Sequence, residues 1–228
     1  GLGADMALPR HPLRHPFLSR FDDHLRGELA VPSGASLRVA LSGGADSSAL
    51  LAALAALAPV RGYALRAEHI HHGLYPDADE WAARCRALGE GLGVPVTEHR
   101  WWEAPAAGES EEAAARRARY ALLEGVLAEG EWLLTAHHAD DQAETVLLYL
   151  SRGAGLDGLS GIEPRRPFGA GQLARPLLPF RRVDTEAFAA EVGWEPVRDP
   201  SNVDPARLRS RVRHRLLPCL EDTAGAGA

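Results

Sequence analysis

Short apolar runs alternate with longer amphipathic stretches between residues 36 and 152. Runs with period-two or continuous apolar character fall at 36–41, 62–69, 95–100 and 131–136, and each predicts a β-strand. Apolar positions at helical spacing occupy 46–58, 77–92, 110–129 and 138–152. Strands and helices in alternation predict β-α units, hence an α/β, Rossmann-like parallel sheet with helices on both faces. Local signals sharpen the helix ends. Asp77 and Asp79 follow Pro76 at the start of the second helix, and Gly91 and Gly93 stop it. Ser110, followed by Glu111 and Glu112, opens the third, where acids suit the helix dipole. LAALAALA at 51–58 predicts a strong, mostly buried helix.

Beyond residue 152 the pattern breaks. The stretch RGAGLDGLSGIEPRRPFGAGQ has no clean periodicity and predicts a long ordered loop or a lid. RPLLPF (175–180), a helix from Asp184 to about Val192 and a last helix from about Pro205 to Leu217 predict a small C-terminal helical appendage. The closing EDTAGAGA is expected to be disordered. GLGADMALPRHPLRHP at the start lacks the apolar core of a signal peptide and is set aside from the fold reading.

Composition narrows the function classes. No run of about 18 apolar residues occurs, so no membrane span is expected. Cys85 and Cys219 stand alone, with no CxxC and no Cys/His spacing suited to zinc, which points to a reduced, cytoplasmic compartment. The net charge of −6 argues against a nucleic-acid partner until it is divided. Residues 1–150 hold 13 Arg against 21 acids, whereas residues 151–228 hold 12 Arg against 10. Within 198–215, six arginines meet only Asp199 and Asp204, a basic stripe able to bind phosphates whatever the overall sum.

Two segments carry most of the chemistry. Ser42-Gly43-Gly44-Ala45-Asp46-Ser47-Ser48 joins the first strand to the first helix. Its glycines let the backbone turn tightly and approach a ligand, and the helix start aims free N–H groups at an anion. The loop is not a Walker P-loop: GxxxxGK[ST] is missing and the chain contains no lysine. Thr135-Ala136-His137-His138-Ala139-Asp140-Asp141-Gln142-Ala143-Glu144 begins at a strand end, where ligands of open α/β sheets bind. Asp141 and Glu144 are three apart and project from one side of a first helical turn. That pair can hold Mg²⁺ or grip a cationic substrate, and both readings stay open.

Three further groups are less specific. Arg116 and Arg119 lie one turn apart, able to reach one phosphate together; a Glu112–Arg116 pair on a wet helix face competes with that reading. His69, His71 and His72 lack a fourth ligand at a familiar spacing, so lining a nucleotide pocket is favoured over metal binding. Arg207, Arg209, Arg211 and Arg213 recur with period two, so on a helix they spread around the axis and some turn inward.

SGGADS after a strand resembles the pyrophosphate loop of ATP-pyrophosphatases. Together with HIHHGL, EAAARRARY, TAHHADDQAETVLLYLSRGAGLDGLSGI, RPLLPFRR and DPSNVDPARLRSRVRHRLLP, in that order, it makes the chain similar to the tRNA(Ile)-lysidine synthetase family over most of 36–218. The resemblance implies an adenine nucleotide α-hydrolase-like PP-loop fold. It divides the chain into an extension or helix (1–30), the ATP-binding catalytic domain (31–160) and a loop and helical portion completing it (161–228). It implies ATP and Mg²⁺ as cofactors, with free L-lysine and the CAU-anticodon isoleucine tRNA as partners, and leaves a homodimer open. The reaction it implies has ATP adenylate the wobble cytidine at its C2 oxygen, after which lysine displaces AMP.

Carried over residue by residue, the resemblance implies that Ser42, Gly43, Gly44, Ala45, Asp46, Ser47, Ser48 and His69 bind ATP, and that Asp46 holds Mg²⁺, with Asp141 or Glu144 sharing it. It implies catalytic roles for Asp46, Arg116, His137, Asp141 and Glu144, with Asp141 and Glu144 receiving lysine. It also implies that Arg119, Arg152, Arg207, Arg209, Arg211 and Arg213 touch tRNA. Two departures from the family pattern stand out. Arg209-Ser210-Arg211 stands where the family usually has Arg-Asn-Arg, and the further C-terminal tRNA-gripping domains that the resemblance implies are not part of residues 1–228, which leaves a truncated chain, a short family member or a subunit with a partner all open. A cytidine-thiolase type of PP-loop enzyme and a non-catalytic nucleotide- or tRNA-binding module are the alternatives.

Overall fold

The computed structural model describes residues 6–71, 73, 76–101, 103–151, 153, 161–195 and 208–224. After α1 (Pro16–Arg26), the units β1 (Ser36–Ala40), α2 (Ala45–Arg61), β2 (Ala64–His71), α3 (Ala78–Leu92), β3 (Val96–Arg100), α4 (Glu111–Val126), β4 (Trp132–Leu134) and α5 (Ala139–Ser151) follow the predicted alternation. Then come β5 (Arg165–Phe168), β6 (Gly171–Ala174) and α6 (Arg182–Glu191). The last helix, α7, is α-helical over Leu208–Arg211, π-helical over Val212–Leu216 and α-helical again over Leu217–Ala224. The sheet order is β3-β2-β1-β4-β6-β5, parallel except for the antiparallel β5 edge. Among the described residues no helix is long and apolar enough to cross a membrane.

Alternation along each strand sorts the side chains onto two faces. Leu37 and Val39 of β1 pair in register with Trp132 and Leu134 of β4 and enter the main core. There they meet α1, α2 and α6, including fully buried Leu50, Leu51, Leu54 and Leu57 of α2. Each such leucine contributes about 1.5–3 kcal/mol of burial. The opposite face packs Leu133, Leu173 and Phe168 against Leu123 and Leu127 from the α4 side. Toward β3 that face turns polar. Arg38 donates to Glu68 at 2.5 Å and to Glu131 at 3.0 Å, and His99 Nε2 lies 2.7 Å from Glu68. Glu68 is 2% exposed, so its charge depends on those partners.

Three expectations need correction. The segment after 152, read as irregular, contains the β5–β6 hairpin at its end, and β6 joins the sheet beside β4. Gly171 is required there, because a Cβ would lie 2.0 Å from the Glu131 carbonyl oxygen. The N-terminal segment, set aside above, is core: Ala7 N donates to Val192 O, and Met6 and Leu8 pack against the main cluster. Pro16 starts α1, whose Phe17 stacks on Phe188 of α6 with ring centroids 4.8 Å apart. Finally, Glu221–Ala224, expected to be disordered, is helical; 225–228 lie outside the described residues.

Candidate active site

The chain reverses its direction across the sheet between β1 and β4, and both motif segments leave the C-terminal ends of these two neighbours. That is the crevice where open α/β sheets bind ligands. The 42–48 loop is knitted by its own hydroxyls. Ser42 N donates to Ser47 Oγ at 3.1 Å, Gly44 N donates to Ser42 Oγ at 3.2 Å, and the two Oγ atoms are 3.0 Å apart. Gly43 takes φ +89°, and a Cβ there would meet Trp81 at 2.9 Å and Cys85 Sγ at 3.3 Å. Ser48 is 1% exposed with an unpartnered Oγ. His69 is also buried: its Nδ1 lies 2.8 Å from the Leu41 carbonyl and 3.3 Å from Cys85 Sγ, bracing the loop from beneath.

Asp46 connects the two segments. Its Oδ2 lies 3.1 Å from His138 Nε2, and its Oδ1 accepts from Thr185 Oγ1 of α6 at 3.3 Å. His138 has no exposed surface, and its Nδ1 lies 3.5 Å from Asp141 Oδ2 without a hydrogen bond to it. Asp141 Oδ2 accepts from the His138 backbone N–H at 3.0 Å, capping α5. Burial would raise the Asp46 carboxyl, but the His138 hydrogen bond and charge outweigh it and hold it below its usual value. Burial would likewise lower His138, yet the Asp46 bond and the Asp141 charge keep it above the ordinary histidine value.

The adjacent His137 behaves oppositely. Its Nδ1 bonds Thr135 Oγ1 at 3.0 Å. Burial pushes the imidazole down to about 4, and the charges of Arg175, Arg116 and Arg119 act the same way against the pull of Asp141. Arg116 and Arg119 are exposed and sit 5.4 Å and 5.7 Å from the Tyr120 ring centroid. Desolvation, with the Arg116 charge nearby, draws Arg119 below its usual value against the pull of Tyr120.

Glu144 is fully buried, and Arg213 of α7 donates to it twice, through Nε at 2.5 Å and Nη2 at 3.0 Å, while lying 3.7 Å from Asp141. Arg213 thus faces the carboxylate pair, and Arg211 is exposed. Arg152 and Arg207 lie outside the described residues, as do the side chains of Glu112 and Arg209. Asp46 and Asp141 supply hard oxygens, but among the described residues no group of three His, Cys, Asp or Glu converges to hold an ion unaided. His138 lies between the two carboxylates, so one of them, with phosphates and water completing the shell, fits the usual mode of Mg²⁺.

Sequence reasoning chose His137 and passed over His138, Thr185, Arg182 and Arg175. His138 shared the quoted motif, but nothing local tells which histidine turns inward. Arg182 approaches His138 Nε2 to 3.3 Å, and Thr185 follows from the next helical turn. RPLLPF contained Arg175 without assigning it a partner.

The PP-loop domain family matches residues 18–220. Among relatives named tRNA(Ile)-lysidine synthase, one from Alkalilimnicola ehrlichii is 52% identical over 187 residues, covering 80% of this chain and 41% of that protein. Another, from Xanthomonas campestris, is 48% identical and covers 86% and 45% respectively. One from Bordetella parapertussis is 46% identical, covering 83% and 57%. The chain therefore spans about half the length of the relatives it matches. A solved structure, the U34-tRNA thiolase NcsA from Methanococcus maripaludis with its 4Fe-4S cluster, shares the fold at a TM-score of 0.71. It is 15% identical and covers 92% of this chain and 74% of that one.

Proposed function

The chain belongs to the PP-loop domain family, and from that footing we propose that it is the nucleotide-activating portion of a lysidine-forming ligase working in the cytoplasm. ATP adenylates the C2 oxygen of the wobble cytidine in a CAU-anticodon isoleucine tRNA. Free L-lysine then attacks C2 through its ε-amine and displaces AMP, so that lysidine, AMP and pyrophosphate are the products. The observation that carries this reading is the Asp46–His138–Asp141 chain, which ties the glycine loop to the acidic motif within one crevice. It is supported by the relatives named above, which match most of this chain.

In this reading the loop amides and hydroxyls receive phosphate oxygens as the helix dipole favours anions. One of Asp46 and Asp141 would hold Mg²⁺ against those oxygens; the ion, when bound, neutralises charge on the phosphates. Arg116 and Arg119 stabilise charge at the reacting phosphoryl group. The Asp141–Glu144 pair already holds the Arg213 guanidinium, so a substrate ammonium would share or displace that cation and must shed a proton before attack. The tRNA contacts of the arginine-rich tail, including Arg211, belong to the same proposal.

A thiolase reading is disfavoured, because Cys85 is buried beneath the loop while Cys219 is exposed on α7. The test incubates the protein with ATP, Mg²⁺, labelled lysine and a CAU-anticodon isoleucine tRNA transcript, followed by nucleoside analysis. Label recovered as modified cytidine is expected. Loss of the anticodon cytidine without lysine label would discard lysine as the nucleophile.

A further inference from the structure

Arg175 follows β6 directly, beside the Thr135–His137 segment, since Thr135 N donates to the Ala174 carbonyl. It is 7% exposed. Two groups hold it: Nη1 donates to the Glu163 carbonyl at 2.5 Å, and the guanidinium also hydrogen-bonds the Tyr120 hydroxyl. Its buried Nε has no partner. A guanidinium this deep normally meets a carboxylate, yet no carboxylate of the described residues pairs with it. Arg116 and Arg119 likewise lack acidic partners among the described residues, although acids are close by. Arg117, on the same helix, takes both Glu103 at 2.8 Å and Glu109 at 3.1 Å. Three cations thus gather near Tyr120 and His137 while the neighbouring acids are spent on a fourth.

The cluster is electrostatically unfavourable as it stands. Desolvation first, and then the charges of Arg166 and Arg116, draw the Arg175 guanidinium below its usual value, with Tyr120 acting against them. An arrangement of this kind gains most from an anion that accepts several N–H donors at once. We propose that Arg175 completes, with Arg116 and Arg119, a phosphoryl-binding subsite at the C-terminal ends of β4 and β6, distinct from the glycine loop across the crevice. Arg175 is its buried anchor, with a free Nε donor and fixed by Glu163 and Tyr120, and the two α4 arginines supply the exposed rim. The choice of ATP as one source of the phosphoryl group rests on the function proposed above; the tRNA backbone is the other.

Binding is measured by calorimetry for Arg116→Gln, Arg175→Gln, Arg175→Lys and the double variant Arg116→Gln/Arg175→Lys. The probes are Mg-ATP in one arm and a CAU anticodon stem-loop RNA without ATP in the other. Loss of charged hydrogen bonds predicts roughly 10- to 100-fold weaker binding in one arm. A deficit confined to Mg-ATP assigns the subsite to the nucleotide, and a deficit confined to RNA assigns it to the tRNA backbone. The double variant should lose less than the product of its singles, because the two arginines share one anion. Arg117→Gln, already paired with acids, should change neither arm. Wild-type binding in both arms by a folded Arg175→Lys protein, or strictly multiplicative losses, overturns the subsite. Neither arm requires lysine incorporation, so failure of the ligase assay leaves this test intact.

Discussion

Replacing Arg213 by Ala strips a fully buried carboxylate of two hydrogen bonds. Breaking a buried ion pair by removing one member costs about 3–5 kcal/mol. The lower end applies here: the Arg213 side chain retains 16% exposure, and Glu144 has other interactions to fall back on. The consequence is local, because among the described residues few side chains of α7 are buried. Its buried described side chains are Ser210 and Val212, and no residue of Leu217–Ala224 is buried. The Arg181–Glu221 pair is half exposed on both sides and adds at most about 1 kcal/mol. A loss of about 3 kcal/mol therefore exceeds what one buried valine supplies, and the helix should open without the sheet. Hydrogen exchange followed by mass spectrometry is the assay. Amides of 210–216 should exchange about a hundredfold faster in Arg213→Ala, at 1.4 kcal/mol per decade, while α2 stays protected. Removing both charges, with Arg213→Met and Glu144→Leu, should recover much of the protection. Unchanged exchange in the tail, or equal acceleration in α2, would refute the local-docking account.

Other outcomes are expected from the same geometry. In an NMR pH titration His137 should stay neutral down to about pH 4, whereas His138 should still be charged at pH 6.5; both titrating near 6.5 would contradict the site electrostatics. The signs follow: stability from neutral His137 is present above pH 6.5 and lost as pH falls toward 4, by about 3 kcal/mol. That from His138 is present below 6.5 and lost as pH rises through its raised value, so His137→Gln alone should flatten the acid side in urea melts. Gly43→Ala forces a positive φ and a Cβ against Trp81, a strain of about 1–3 kcal/mol, and should weaken ATP binding at least tenfold by calorimetry. Under native conditions one thiol should react with iodoacetamide: Cys219 is exposed, while burial pushes Cys85 up to about 12. Rapid modification of Cys85 in the folded protein would show the loop opening freely.

Legibility followed the range of the interactions involved. The strands β1 to β3 and the helices α2 to α5 declared themselves through local periodicity, and the glycine loop through residues adjacent in sequence. The β5–β6 hairpin did not, since four-residue strands carry too short a pattern and Pro167 speaks against a central strand. Pairing with β4, some forty residues earlier, makes β6 a strand. The N-terminal segment showed its apolar residues, but their value lay in Phe180 and Phe188, far along the chain.

The order of apolar runs, the glycine turn and the acidic motif were enough to determine an α/β sheet with both motifs at its strand ends, because each depends on neighbours within a few residues. Which histidine meets Asp46, where Arg213 delivers its charge and which arginines lack acids were decided only in three dimensions. Those outcomes depend on burial and on distances of a few ångströms between segments far apart in the chain, and spacing along the sequence carries no record of either.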